Sequence, residues 1–136
     1  MKTEISSKHA VVSRAPYMLY MAFTDMRNFA QMVPEDKKNE FGLQADYDSV
    51  HAVVQGFNVG IRVSERVPYS RIDFADDGAP FKFSVSMHFD AVAGEPDKTD
   101  FSVKVFAELN FMMKMMLSSK IQEALDKMVD GLAANG

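Results

Sequence analysis

Two side chains of this 136-residue chain fall where chemistry could be done. Glu65 shares parity with Val59, Ile61, Val63 and Val67, which puts it on the apolar face of a strand. A carboxylate there is costly unless it is paired or protonated. It reads as a ligand anchor or a general acid/base with a raised pKa. The plainer reading makes it a rim residue, or one turned outward by a bulge. Arg62, Arg66 and Arg71 are its possible partners. His9 shares parity with Ile5 and Val11 and has Ser7 beside it, so it faces the same interior or its rim.

Other constellations are incomplete. His51 and His88 take the polar parity of their strands, and with His9 they lack metal-ligand spacing. Asp76-Asp77-Gly78 is a turn without the downstream ligands of a calcium loop. Gly56 to Gly60 is followed by neither lysine nor helix, so it is no phosphate loop. Ser118-Ser119 has no partnered base. No catalytic set, metal site or cofactor is expected.

The methionines are the other unusual feature: 11 in the chain, with Met112, Met113, Met115 and Met116 inside five positions. At 100° per residue, Met113, Leu117, Ile121, Ala124, Leu125, Met128 and Leu132 form one stripe. Met113 and Leu117 therefore belong to core or cavity lining. Met112, Met115 and Met116 lie off it, on the side that later carries Glu123, Asp126 and Lys127. Loops, a second subunit or an entering ligand could cover them. Met112 and Met116 are candidate gates to a cavity, and a homodimer through Met112, Met115 and Met116 is the competing reading.

Lys2 to Val12 reads as one strand. Pro16 suits the first position of a helix whose residues Tyr17 to Phe23 are apolar nearly all round, which predicts deep burial. Asp25 is a plausible cap for a second short helix, Met26 to Met32, stopped by Val33-Pro34. A charged loop, Pro34 to Gly42, follows. Alternation then marks about six antiparallel strands, with a turn at Asp76–Pro80. The clearest inward set is Phe81, Phe83, Val85, Met87 and Phe89, followed by Phe101, Val103, Val105, Ala107 and Leu109. Asn110 caps the final helix from Phe111 to Leu132, with fraying expected near Gly131.

The length suits a single domain over residues 1–136, and 47% hydrophobic with 25% charged residues suits a globular one. The absence of cysteine removes disulfides and thiolate chemistry and is compatible with a reducing cytoplasm, the expected location. A net charge of −4 without a basic run argues against nucleic acid. No stretch is apolar enough for an integral membrane segment.

The order of strand, two short helices, antiparallel strands and long final helix resembles the helix-grip fold of the START-like superfamily (SRPBCC). That superfamily includes pollen-allergen-type (Bet v 1-like), polyketide-cyclase-type and lipid-transfer members. Val12-Ser-Arg-Ala-Pro16, Asp25-Met-Arg-Asn-Phe29 and Ala107-Glu-Leu-Asn-Phe111 resemble its passage from strand to helix, its break between short helices and its passage into the last helix. Phe111 stands where many members have proline. The resemblance implies an α+β fold in which a curved antiparallel sheet wraps a long C-terminal helix, with a hydrophobic cavity between them.

The expected function is therefore binding of a small hydrophobic or amphipathic molecule, lipid-like or polyketide-like. Phe83, Val85, Met87, Val103, Val105, Met113, Met116 and Leu117 would line the cavity, with Met112 at its mouth and Glu65 and His9 orienting the ligand. The alternatives are a polyketide cyclase/dehydratase-type enzyme using the same pocket, with Glu65 or His9 moving protons, and a non-catalytic interaction module built on the methionine face.

Overall fold

The computed structural model describes residues 2–32, 34–54, 56–79 and 81–135. Val33 of the predicted helix stop and Pro80 of the predicted turn lie outside them. The chain forms β1 (Lys2–Ser6), β2 (Ala10–Val12), α1 (Pro16–Thr24), α2 (Arg27–Met32), α3 (Glu35–Phe41), β3 (Gln44–Ala45), β4 (Ser49–Val54), β5 (Phe57–Val67), β6 (Arg71–Asp76), β7 (Phe83–Val92), β8 (Glu95–Glu108) and α4 (Phe111–Asn135). One antiparallel sheet runs β1-β8-β7-β6-β5-β4-β3, with β2 also on β8. This is the expected helix-grip order.

Two departures from even alternation set the orientation of the polar candidates. Ser6 faces Lys104 and Ala10 faces Phe101, so four steps of the first strand span three of its partner. The predicted single strand is thus split into β1 and β2. Ser7 fills the gap, its N–H donating to Val103 O (2.8 Å) and its hydroxyl oxygen accepting from Val103 N (2.9 Å). The Lys8 N–H leaves the ladder and donates to Asp126 Oδ1 of α4 at 2.9 Å. The second slip lies in β5, between Val63, which faces Phe74, and Glu65, which faces Asp73. Each extra residue reverses the faces of everything after it.

At one end of the sheet the core is sealed. Phe23 of α1 stacks on Phe89 and Phe101 with ring centroids 6.1 and 5.9 Å apart, and those two rings lie 5.7 Å from each other. Thr99 donates to Arg14 O at 2.7 Å below them. Only the inner side of α1 is covered, by Leu19, Tyr20 and Phe23, whereas Tyr17, Met18 and Met21 are exposed. The predicted all-round burial of that helix is corrected: its apolar composition exceeds what the sheet can cover.

Residues 34–42, read as a loop, contain α3 instead. Glu35 and Asp36 favour its first turn, and Gly42 closes it with φ of 58°, a left-handed conformation that glycine takes without strain. The final helix starts as expected: Asn110 Oδ1 accepts from Met113 N at 2.8 Å. It continues through Gly131 to Asn135. Leu125 and Val129 are its buried anchors, and Gln122 Nε2 donates to Ser6 O at 2.6 Å.

Candidate functional site

Between the sheet and α4 lies a cavity of about 360 Å³. The sheet contributes Val50, Ile61, Phe74, Val85, Met87, Val103 and Val105 to its lining. Leu125 and Met128 of α4 form one wall, and Met26, Ala30 and Leu43, in and around α2 and α3, form the other. Every lining side chain among the described residues is apolar. The alternation of β7 and β8 produces this surface directly, because Val85 faces Val105 and Met87 faces Val103 across the ladder.

The cavity exists because the far half of the sheet is only partly covered. Val103, Phe74 and Ile72 are completely or almost completely buried, whereas Val50, Ile61, Val63 and Val85 are half-buried. The wall over that half is thin, since α3 contributes no buried residue. Arg66 pins it. Its Nε donates to Thr24 Oγ1 (2.6 Å) and its Nη2 to Thr24 O (2.8 Å), where α1 gives way to α2. The same guanidinium lies 3.0 Å from Asp48 and 4.5 Å over the Tyr47 ring. Asp25 adds a local brace: it accepts from Arg27 N at 3.0 Å, and the Arg27 guanidinium holds its carboxyl below the usual range.

The structure brings together Val85, Met87, Val103 and Val105, as expected from the strand pattern. Phe83, Met113 and Leu117 are half-buried against the neighbouring core and do not reach the cavity surface. Sequence reasoning missed Met26, Ala30, Leu43, Val50, Ile61, Phe74, Leu125 and Met128. Leu125 and Met128 stand on the inward stripe of α4, so the signal for them is present in the sequence.

Both polar candidates are corrected. Glu65 faces outward opposite Asp73 and lies 3.5 Å from Arg71. His9 is exposed outside the β1–β2 bulge, its Nδ1 3.0 Å from Asp100 Oδ1. They do not meet each other or the cavity. The inward polar group of β5 is Arg66, one residue further on. Met112, expected at the cavity mouth, and Met116, expected there and in the lining, are not among the described lining residues and are 70% and 60% exposed, with Phe111 and Met115 beside them at 69% each. No loop among the described residues covers this face.

Among the described residues no group of three or more His, Cys, Asp or Glu could hold a metal ion, and no helix is long and apolar enough to cross a membrane.

No protein-family model matches the chain, and no curated protein does. Solved structures are similar over nearly its whole length. A START superfamily protein from Mycobacterium smegmatis is 16% identical with a TM-score of 0.66, covering 97% of each chain. Norcoclaurine synthase from Thalictrum flavum, in complex with dopamine and hydroxybenzaldehyde, is 10% identical with a TM-score of 0.71, covering 98% of this chain and 86% of its own. A protein from Thermus thermophilus is 14% identical with a TM-score of 0.63, covering 97% of this chain and 95% of its own. These likenesses establish the fold, a helix-grip arrangement of sheet and long final helix.

Proposed function

We propose that the protein binds a small hydrophobic molecule in the cavity between sheet and α4. The observation that carries this reading is a cavity of about 360 Å³ whose lining among the described residues is apolar throughout. Ligand pockets occupy roughly 300–1,000 Å³, so this one suits a compact ligand. Affinity would come from apolar burial, at about 25 cal/mol per Å² removed from water. With no polar side chain in the lining among the described residues, selectivity would rest on size and shape. A charged head group would have to stay outside, over the half-covered strands β4 and β5. The cysteine-free composition suits a reducing compartment, and we propose a cytoplasmic setting.

The cyclase-type alternative requires a proton-moving group at the ligand. The two groups considered for that role, Glu65 and His9, lie on the outer surface.

The test is fluorescence titration with the neutral probe N-phenyl-1-naphthylamine. Binding should saturate at one site, and Val85→Phe, which fills the cavity, should weaken it by about tenfold or more. Unchanged probe binding in a folded Val85→Phe protein would rule out this cavity as the site.

A further inference from the structure

We infer that the end of the molecule carrying the start of α4 docks on an anionic lipid bilayer surface. The inference is independent of what fills the cavity.

Two exposed apolar tips share this end. Gln122 bonds Ser6, so with 1.5 Å per helical residue and about 3.3 Å per strand residue the first turns of α4 lie level with Lys2, at the rim. There Phe111, Met112, Met115 and Met116 form a face directed away from the core stripe. Across the sheet, Ile61 pairs with Asp76, the last residue of β6. Phe57 therefore projects four residues, about 13 Å, past that strand. Phe57 and Val53 on this hairpin are 58% and 45% exposed.

The charges around these tips select the partner. Lys114 and Lys120 flank the apolar face of α4 on its two sides, and Lys2 and Lys82 are exposed on the same rim. Of the carboxylates here, Asp76 accepts from Phe83 N, Asp77 pairs with His51 and Glu4 lies 3.9 Å from Lys104, while Glu108 is exposed opposite Lys2. The opposite end carries Asp90, Glu95, Asp97 and Asp100 on and beside the β7–β8 hairpin, with Lys98 on Glu95, His9 on Asp100, and Arg14, Tyr17 and Met18 around Pro96 and Asp97. This end thus combines the exposed apolar face of α4 and the Phe57 tip with lysines around them. Apolar side chains inserted at a headgroup boundary, with lysines among anionic lipids, satisfy both features of this end.

A second copy fits less well. The four α4 side chains, 60% to 70% exposed, offer roughly 500 Å² per copy, against about 800 Å² per partner in a standard interface. Two separated prongs match a deformable surface better than a rigid one.

The test is co-sedimentation of the full chain with vesicles of phosphatidylcholine alone or mixed with phosphatidylglycerol. Mixed vesicles should bind about tenfold more strongly at low ionic strength. Met115→Ser/Met116→Ser should lower that binding by about tenfold. Lys114→Glu/Lys120→Glu should abolish the preference for the anionic lipid, and Met18→Ser/Met21→Ser on α1 should change nothing. All six positions are exposed, so the variants should fold, and the lysine pair tests the inference separately from the methionine pair. The inference is overturned by no sedimentation, by equal binding to both compositions, or by equal loss in the α1 variant. It is also overturned by a vesicle-free dimer, seen by analytical ultracentrifugation, that Met115→Ser/Met116→Ser disperses.

Discussion

Glu65 Oε2 stands 3.5 Å from Arg71 Nη2 on the outer face of the sheet, while the next residue, Arg66, turns inward to Thr24. A one-residue slip in β5 exchanges their roles. The exposed Glu65 pair should matter little: Glu65→Gln is expected to change stability by less than about 0.5 kcal/mol and to leave probe binding intact. Arg66→Met removes charge-assisted bonds to Thr24 and should cost about 2 kcal/mol. Urea-unfolding midpoints of the two variants check the contrast.

Gly60 is required by a close approach. A Cβ at this position would meet Asp77 O at 2.0 Å and His51 Cδ2 at 2.5 Å. The glycine N–H donates to Gly78 O, and its carbonyl accepts from Asp77 N, so the backbone has little room to withdraw. Gly60→Ala should destabilise by about 2–3 kcal/mol. Gly131, in open space on α4, has the opposite sign: Gly131→Ala should stabilise by up to about 1 kcal/mol. Thermal unfolding reads both.

Acid stability should depend on two braces near the cavity wall. The Arg27 guanidinium holds Asp25 below its ordinary value, and the Ser49 hydroxyl, with two backbone N–H groups, does the same for Asp46. A lowered folded-state pKa contributes stability that is complete above the ordinary carboxylate value and is lost as the pH falls through the lowered one. Asp25→Asn/Asp46→Asn should therefore be less stable than the parent at neutral pH, with the difference shrinking as the pH falls below the ordinary carboxylate range. A difference that persists there would assign the effect to packing.

The architecture was legible because its signals are periodic. Phe83 to Phe89 and Phe101 to Leu109 alternate without a break over long stretches, and the cavity floor of Val85, Met87, Val103 and Val105 follows from them. The orientation of His9 and Glu65 was not legible. Each was assigned by counting parity along a strand, and each count crosses a one-residue slip. Neither slip has a glycine or proline to announce it, because the compensating bonds come from far away: Ser7 to Val103, Lys8 to Asp126 and Arg66 to Thr24. The wall residues Met26, Ala30 and Leu43 were hidden for a related reason. Tertiary placement of short helices, not periodicity, brings them to the cavity.

The methionines allow the central claim to be tested residue by residue. Met26, Met87 and Met128 line the cavity, whereas Met18, Met21, Met112 and Met115 lie on the surface. The decisive measurement is an NMR titration of the 13C-methyl-methionine-labelled protein with N-phenyl-1-naphthylamine. The methyl resonances of Met26, Met87 and Met128 should shift together and saturate, while those of Met18, Met21, Met112 and Met115 stay in place. Shifts confined to the surface methionines, with the three cavity methyls unmoved, would contradict apolar ligand binding between the sheet and α4.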